Sequence, residues 1–324
     1  MKHVHHMAKQ KRVLDIRWNT IRLIREFFWQ QQFTEVETPH LLATAGMEPY
    51  LDPMQVSVMN QHKDAYTAYL HTSPEYTMKK LLAAGYTSIF SLGKCYRNIE
   101  SFGGDHNPEF TMLEWYRSGV DMYALMDDID ALSTHLEGIE EPRRIHMNAL
   151  WQETIGVTLD DHLLEGQMRD LCKEKGYAVS EDEPYEDLFY RIFLNEIEPR
   201  LKDMGSIIVH HFPMQMAALA AKSDIHRGYA ERFEWYIHGK EIANAFTELT
   251  DAKEQTARFK TEQQRRKALN KTVFPIDTEF IAAVDQLDSC AGIALGVDRL
   301  VMVVAGCQNI DDVLPLPASI QFEA

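Results

Sequence analysis

The sequence predicts an α+β fold in which an antiparallel β-sheet is flanked by helices. Three observations predict it. Residues 10–33 carry apolar side chains at helical spacing, residues 88–98 and 106–117 read as two strands joined by the polar connection SFGGD, and residues 231–250 read as a second strand pair turning at His238–Gly239. Strands on both sides of helical stretches, joined mostly as hairpins, favour an antiparallel sheet.

The elements follow in chain order. Val13, Leu14, Ile16, Ile21, Leu23, Ile24, Phe27 and Phe28 form one apolar stripe, and FTEVETPHL after it reads as a strand that stops at Pro39. PEYTMKKLLAAG, 74–85, is a short helix with Pro74 at its start and Gly85 at its end. From 121 to about 228 helical stretches alternate with acidic loops such as SEDEPYED, which reads as a helical insertion. The strand pair 231–250, a charged helix over 251–269, and AGIALGVDRLVMVVAG, a Gly-punctuated strand entering a helix, close the chain. Residues 13–324 are expected to form one domain with the insertion at 121–228, and residues 1–12 a disordered or tag-derived end. The opening MKHVHHM is therefore read as a remnant and not as a metal site.

The 324 residues hold 45% hydrophobic and 25% charged side chains, ordinary for a globular protein. The net charge of −16 argues against a broad basic surface for nucleic acid. Cys95, Cys172, Cys290 and Cys307 lie far apart, which excludes a zinc cluster or disulfide framework and fits a reducing, cytoplasmic setting. No apolar run approaches the roughly 18–20 residues of a membrane span.

Strand parity raises the question of function. In HNPEFTMLEWY the residues Phe110, Met112, Glu114 and Tyr116 share a face, so a carboxylate sits in apolar text. A buried charge needs a cationic partner or a proton. TSPEY (72–76), YRNIE…HNPEFTMLEWY (96–116), RFEWYIHGKEIANAFTEL (232–249) and GIALGVDRL (292–300) all insert Arg, Glu or Asn into apolar stretches. Any one of them reads as a satisfied core group; four together favour a shared polar site. Asn244, Phe246 and Glu248 share parity, whereas Glu241 has the opposite parity, so a bulge is required if Glu241 is to join them.

These segments resemble motifs 2 and 3 of the class II aminoacyl-tRNA synthetases in their lysine-specific form, with ETP at 37–39 as motif 1. Within that group the chain is most similar to the short paralogues that attach β-lysine to elongation factor P, from about residue 14 onward and including HHFPMQMAALA and ELTDAKEQTARF. The resemblance implies the class II catalytic fold, ATP and Mg²⁺ as cofactors, and an amino-acid adenylate as intermediate. It implies Arg97 and Arg299 as the catalytic cations, on the α- and γ-phosphates respectively. ATP would be held by Asn98, Glu100, His106, Asn107 and by Phe110, which stacks on adenine. Glu75 would bind the amino nitrogen, Glu114, Tyr116 and Glu248 the side-chain ammonium, with Asn244, Phe246 and Ala294 lining the same substrate. Glu234 and Glu241 would hold Mg²⁺, while Asp298 is read as structural. A full lysyl-tRNA synthetase carries an oligonucleotide-binding domain before motif 1, but here motif 1 is reached by residue 39 and none is expected. Motif 1 implies a homodimer.

Two departures stand out. Motif 2 usually reads Arg-Asn-Glu, whereas here Arg97-Asn98 is followed by Ile99 and a loop one residue longer, with Glu100 as a substitute for the missing carboxylate. Lysyl-tRNA synthetases carry Gly in GIALG where this chain has Ala294, an alanine the modifying paralogue shares. The resemblance leads to an ATP-dependent ligase that activates (R)-β-lysine or lysine and transfers it to a lysine side chain of elongation factor P. A stand-alone lysine-activating enzyme with a tRNA, lipid or small-molecule acceptor is one alternative. A non-catalytic lysine- or ATP-binding paralogue is the other, which the presence of Arg97, Glu241 and Arg299 disfavours.

Overall fold

The computed structural model describes residues 1–322. The chain forms two compact units, one built from Met1–Val120, His135–Gly138 and the chain from Thr250, the other from Asp121–Thr134 and Ile139–Leu249.

The first unit centres on four strands. Ser88–Tyr96 pairs antiparallel with Glu109–Ser118, which pairs antiparallel with Cys290–Gly296; the two-residue strand Thr34–Glu35 adds a parallel edge on Ile89–Phe90. The helix Lys11–Gln30 packs Phe28 against this sheet, 4.9 Å from the Phe90 ring centroid and 5.1 Å from Trp115. Burying such a ring contributes about 1.5–3 kcal/mol. The same helix buries Arg17, which donates to Asp298 and, at 2.8 Å, to Thr111 Oγ1; Asp298 also accepts the Thr111 N–H at 2.7 Å. Asp298 thus joins helix, sheet and the helix Val297–Ala305, the structural role expected of it. Leu41–Leu42, Ala65–Leu70 and Gln55–Met59 form a smaller antiparallel sheet. Residues 2–9, expected to be disordered, are helical: His6 Nε2 lies 3.1 Å from the Leu314 carbonyl and the Gln10 amide donates to Asp312 at 2.7 Å.

The second unit also carries four strands: Lys240–Thr247, Tyr229–Ile237 and Ser206–Pro213 run antiparallel in that order, and Arg143–His146 adds a parallel edge. His238 (φ 49°) and Gly239 (φ 79°) both lie in the left-handed region, as a tight hairpin between twisted strands requires. Two of these strands fall inside the stretch read as helical. SIIVHHFP is buried at nearly every position, its polar Ser206 and His211 included, so its side chains show no period of two by which a strand is recognised. The helices of this stretch, Met147–Ile155, Glu165–Glu174 and Tyr185–Ile192, bury Trp151, Met168 and Phe189 in a core completed by Ile207, Val209 and Phe212 of the sheet.

Among the described residues no helix is long and apolar enough to cross a membrane.

Candidate active site

Glu114 is fully buried at the middle of the Glu109–Ser118 strand. Its Oε1 accepts from Ser73 Oγ at 2.6 Å and its Oε2 from the Tyr116 hydroxyl at 3.0 Å. The parity that puts residues 114 and 116 on one face is therefore realised as a hydrogen bond. Across the ladder Glu114 stands opposite Ser91 on one side and Ala294 on the other, so the extra methyl of GIALG lies beside this carboxylate.

Ser73 Oγ also accepts the Glu75 N–H at 3.0 Å and so fixes the start of the helix Glu75–Ala83. Glu75 is paired with Lys79, which is 1% exposed and donates to Oε1 at 2.7 Å. Ser73, Glu75 and Tyr76 line a cavity of about 350 Å³ together with Thr44, Lys80 and Glu48. Sequence reasoning missed Glu48. Its carboxylate lies over Gly46, where a Cβ would collide with it, and its Oε2 is buried with no hydrogen bond among the described residues. Burial first, then the Glu75 carboxylate, push the Glu48 pKa up, against Arg97 and Arg266. The loop bearing it is held by Arg266, which donates to the Glu48 carbonyl at 2.7 Å, and by Tyr76, whose hydroxyl accepts the Met47 N–H at 3.3 Å.

Arg97 follows the end of its strand, with its guanidinium 5.0 Å from the Phe110 ring centroid and its buried Nε making no hydrogen bond among the described residues. A guanidinium N–H left without an acceptor beside a half-buried ring suits an anionic ligand carrying a flat base. Beyond it the Asn98 N–H donates to the Asp52 carbonyl at 2.7 Å, and Ile99 adopts φ 59° with its side chain in solvent. Glu100 pairs with His106 at 2.9 Å. The lengthened loop is tethered to a distant part of the chain. Gly104 N–H donates to Asn309 Oδ1 at 3.1 Å, the Gly104 carbonyl accepts the Ile310 N–H at 2.7 Å, and Arg299 Nε reaches the Asp105 carbonyl at 3.3 Å. Asn107 has a different setting from the one expected of a ligand contact: its side chain bridges the Glu109 carbonyl (2.6 Å) and the Ala318 N–H (2.9 Å).

In the second unit a bulge supplies what parity demanded. Glu241 pairs with Tyr236 and Ala243 with Trp235, leaving Ile242 as the extra residue, so Glu241 regains the parity of Asn244. Asn244 stands directly across from Glu234. Arg232, also missed from sequence, organises the face: it donates to Asn244 Oδ1 at 3.1 Å and to Glu234 Oε1 at 2.5 Å, between the Phe212 and Phe246 rings. Tyr236 donates to the other Glu234 oxygen. Burial raises the Glu234 pKa; Arg232 opposes the rise and Glu241 adds to it. Two carboxylates that repel on one face suit a divalent cation with oxygen ligands. Glu248 is buried beyond the strand end, where its backbone bridges to Ala220.

The family pattern of class II tRNA synthetases (D, K and N) matches residues 3–320. Curated relatives named elongation factor P–(R)-β-lysine ligase include proteins of Pseudoalteromonas translucida (40% identical over 298 residues, 91% of each chain) and Haemophilus ducreyi (40% over 295 residues, 90% of this chain and 89% of the relative). The protein of that name from Vibrio cholerae is 40% identical over 304 residues, 92% of each chain. With a family pattern covering nearly its whole length and relatives aligned over nine-tenths of it, this chain belongs to the class II (D, K and N) tRNA synthetase family.

Proposed function

We propose that the protein is an ATP-dependent ligase that activates (R)-β-lysine as its adenylate and transfers it to a lysine side chain of elongation factor P. The observation that carries this reading is the buried Glu114, clamped by Ser73 and Tyr116 and flanked by Ala294, in a chain similar over nine-tenths of its length to ligases of that name. Glu114 and Tyr116 receive the substrate's side-chain ammonium, which compensates the buried charge. Glu75 takes the reacting end's amine, and Asn244, Phe246 and Glu248 also serve the amino acid.

Arg97 holds the substrate carboxylate and the α-phosphate in line, with Phe110 on the adenine and Arg299, His106, Glu100 and Asn98 serving the rest of ATP. A carboxylate oxygen attacks the α-phosphorus and pyrophosphate leaves; the acceptor amine then attacks the acyl carbon and AMP leaves. Catalysis is positioning and charge stabilisation, without a covalent enzyme intermediate. Mg²⁺ on Glu234 and Glu241, when bound, neutralises charge on the phosphates. The protein acts as a homodimer through the motif 1 region and works in the cytoplasm.

Amino-acid-dependent ATP–pyrophosphate exchange, run with (R)-β-lysine and α-lysine in parallel, tests activation. Mass spectrometry of elongation factor P after incubation tests transfer. Preferred exchange with (R)-β-lysine and one added β-lysyl group are expected. Exchange with neither amino acid overturns activation, and exchange without transfer overturns the acceptor.

A further inference from the structure

The second unit holds a cluster of imidazoles that amino-acid activation does not use. His146, His211 and His226 come from the end of the strand Arg143–His146, the strand Ser206–Pro213 and the loop before Tyr229, and each offers a ring nitrogen within 4.8 Å of the other two. The rings are close: His211 and His226 centroids are 4.3 Å apart, His146 and His226 4.7 Å, His146 and His211 4.9 Å.

Backbone strain brings one of them there. His211 has φ 62°, unusual for a residue with a Cβ, and lies at the register break between His210 and Phe212. A strained bulge of this kind re-aims a side chain and persists where the surroundings demand it. The neighbours also fit ligation. His210 Nδ1 lies 2.6 Å from His211 Nδ1, so His210 can accept a proton held there and direct the lone pair to His211 Nε2, whose neighbour at 3.4 Å is the Ser223 hydroxyl that an ion would displace. His146 Nε2 is buried with no hydrogen bond among the described residues, while its Nδ1 accepts the Asn148 N–H at 3.1 Å. His226 is held at its backbone, whose N–H donates to Ser223 Oγ at 3.1 Å. His146 and His226 line an open cleft of about 910 Å³ with Asp160 and Tyr229, and the buried His211 lies behind them.

We infer that His146, His211 and His226 form a binding site for a borderline divalent transition ion of the zinc class, with water from the cleft completing its coordination. Imidazole donors select such ions over Mg²⁺, which prefers oxygen. Coordination through His146 Nε2 moves that ring's proton to Nδ1 and so releases the Asn148 N–H from its cap. The site is separate from the carboxylates Glu234 and Glu241 in chemistry and in residues.

His3, His5 and His6 are three further imidazoles close together in the chain, so the experiment uses the full chain with all three changed to Ala. Zn²⁺ titration by calorimetry, Co²⁺ absorption and melting with and without Zn²⁺ are measured on this protein and on the same protein carrying His226→Ala. Expected are one saturable ion per chain, Co²⁺ ligand-field bands, a rise in melting temperature with Zn²⁺ and a shift of the Asn148 amide resonance. His226→Ala abolishes all four while leaving the metal-free melting temperature unchanged. Absence of a saturable ion in the first protein, or binding indifferent to His226→Ala, overturns the site. Should His226→Ala lower the metal-free melting temperature, the Asn148 amide in the first protein decides: no shift with Zn²⁺ overturns the site.

Discussion

The hydroxyl of Tyr116 donates to Glu114 from two residues further along the same strand, at 3.0 Å, and Ser73 Oγ occupies the other carboxylate oxygen at 2.6 Å. Both oxygens are thereby oriented before any substrate arrives, which lowers the ordering cost of binding. Tyr116→Phe removes one of these bonds and leaves the carboxylate's position otherwise intact. A five- to tenfold rise in the KM for the amino acid, on the order of 1 kcal/mol, is expected in pyrophosphate exchange. Glu114→Gln removes the charge itself and is expected to cost at least about a hundredfold in kcat/KM, since charged hydrogen bonds contribute roughly 1.5–3 kcal/mol or more when buried. Equal, small effects of the two substitutions would show that Glu114 only satisfies the core.

Ala294 stands across from Glu114 in the antiparallel register. One methyl beside a carboxylate discriminates shape and not charge. Ala294→Gly is expected to improve α-lysine relative to (R)-β-lysine by about ten- to a hundredfold in kcat/KM, the range a single methyl supports. Competition between the two amino acids in pyrophosphate exchange measures it directly.

Glu48 titrates above the ordinary carboxylate value of 4.5 because burial and the Glu75 charge disfavour its ionised form. A folded-state pKa raised above the unfolded value contributes stability that is full below about 4.5 and is lost as pH rises through the raised value. Glu48→Gln removes this loss. Thermal melting of the two proteins is therefore expected to coincide near pH 4 and to favour the Gln variant near neutrality. Because Glu48 borders the same cavity as Glu75, the variant is also expected to raise the KM for the amino acid several-fold. A melting difference that ignores pH would sink the electrostatic account.

The parts of the fold that the sequence discloses are those with a clear period. The helix Lys11–Gln30, the hairpin at His238–Gly239 and the shared face of residues 114 and 116 all follow from spacing alone. The clash of parity at Glu241 even points to the bulge at Ile242. The strand Ser206–Pro213 is hidden because burial on both faces erases alternation. Glu48 is hidden for another reason: its burial is made by Tyr76 and Arg266, which are remote in sequence, so nothing local marks it. Arg232 reads as one charge in a strand until the bulge brings Asn244 opposite Glu234. His211 carries no local sign of its strained backbone.

The loop after Arg97 gives the last prediction. Its extra residue and Ile99 in place of a carboxylate would leave a long, mobile connection, yet Gly103 pairs with His106 and Gly104 is fastened to Asn309 and Ile310. Asn309 Oδ1 accepts from both Gly104 N and Asp311 N, so one side chain links the loop to the short helix at Ile310–Asp312. Its loss removes one of the loop's tethers, leaving those from the Ile310 N–H and Arg299, without touching Arg97 or Glu114. Asn309→Ala is expected to lower the melting temperature by only a few degrees, since one hydrogen bond contributes about 0.5–1.5 kcal/mol. The KM for ATP is expected to rise about three- to tenfold as the loop's ordering cost passes to the nucleotide, with the KM for the amino acid unchanged. That split between the two KM values separates a tether of the nucleotide loop from a general loosening of the fold, which would raise both.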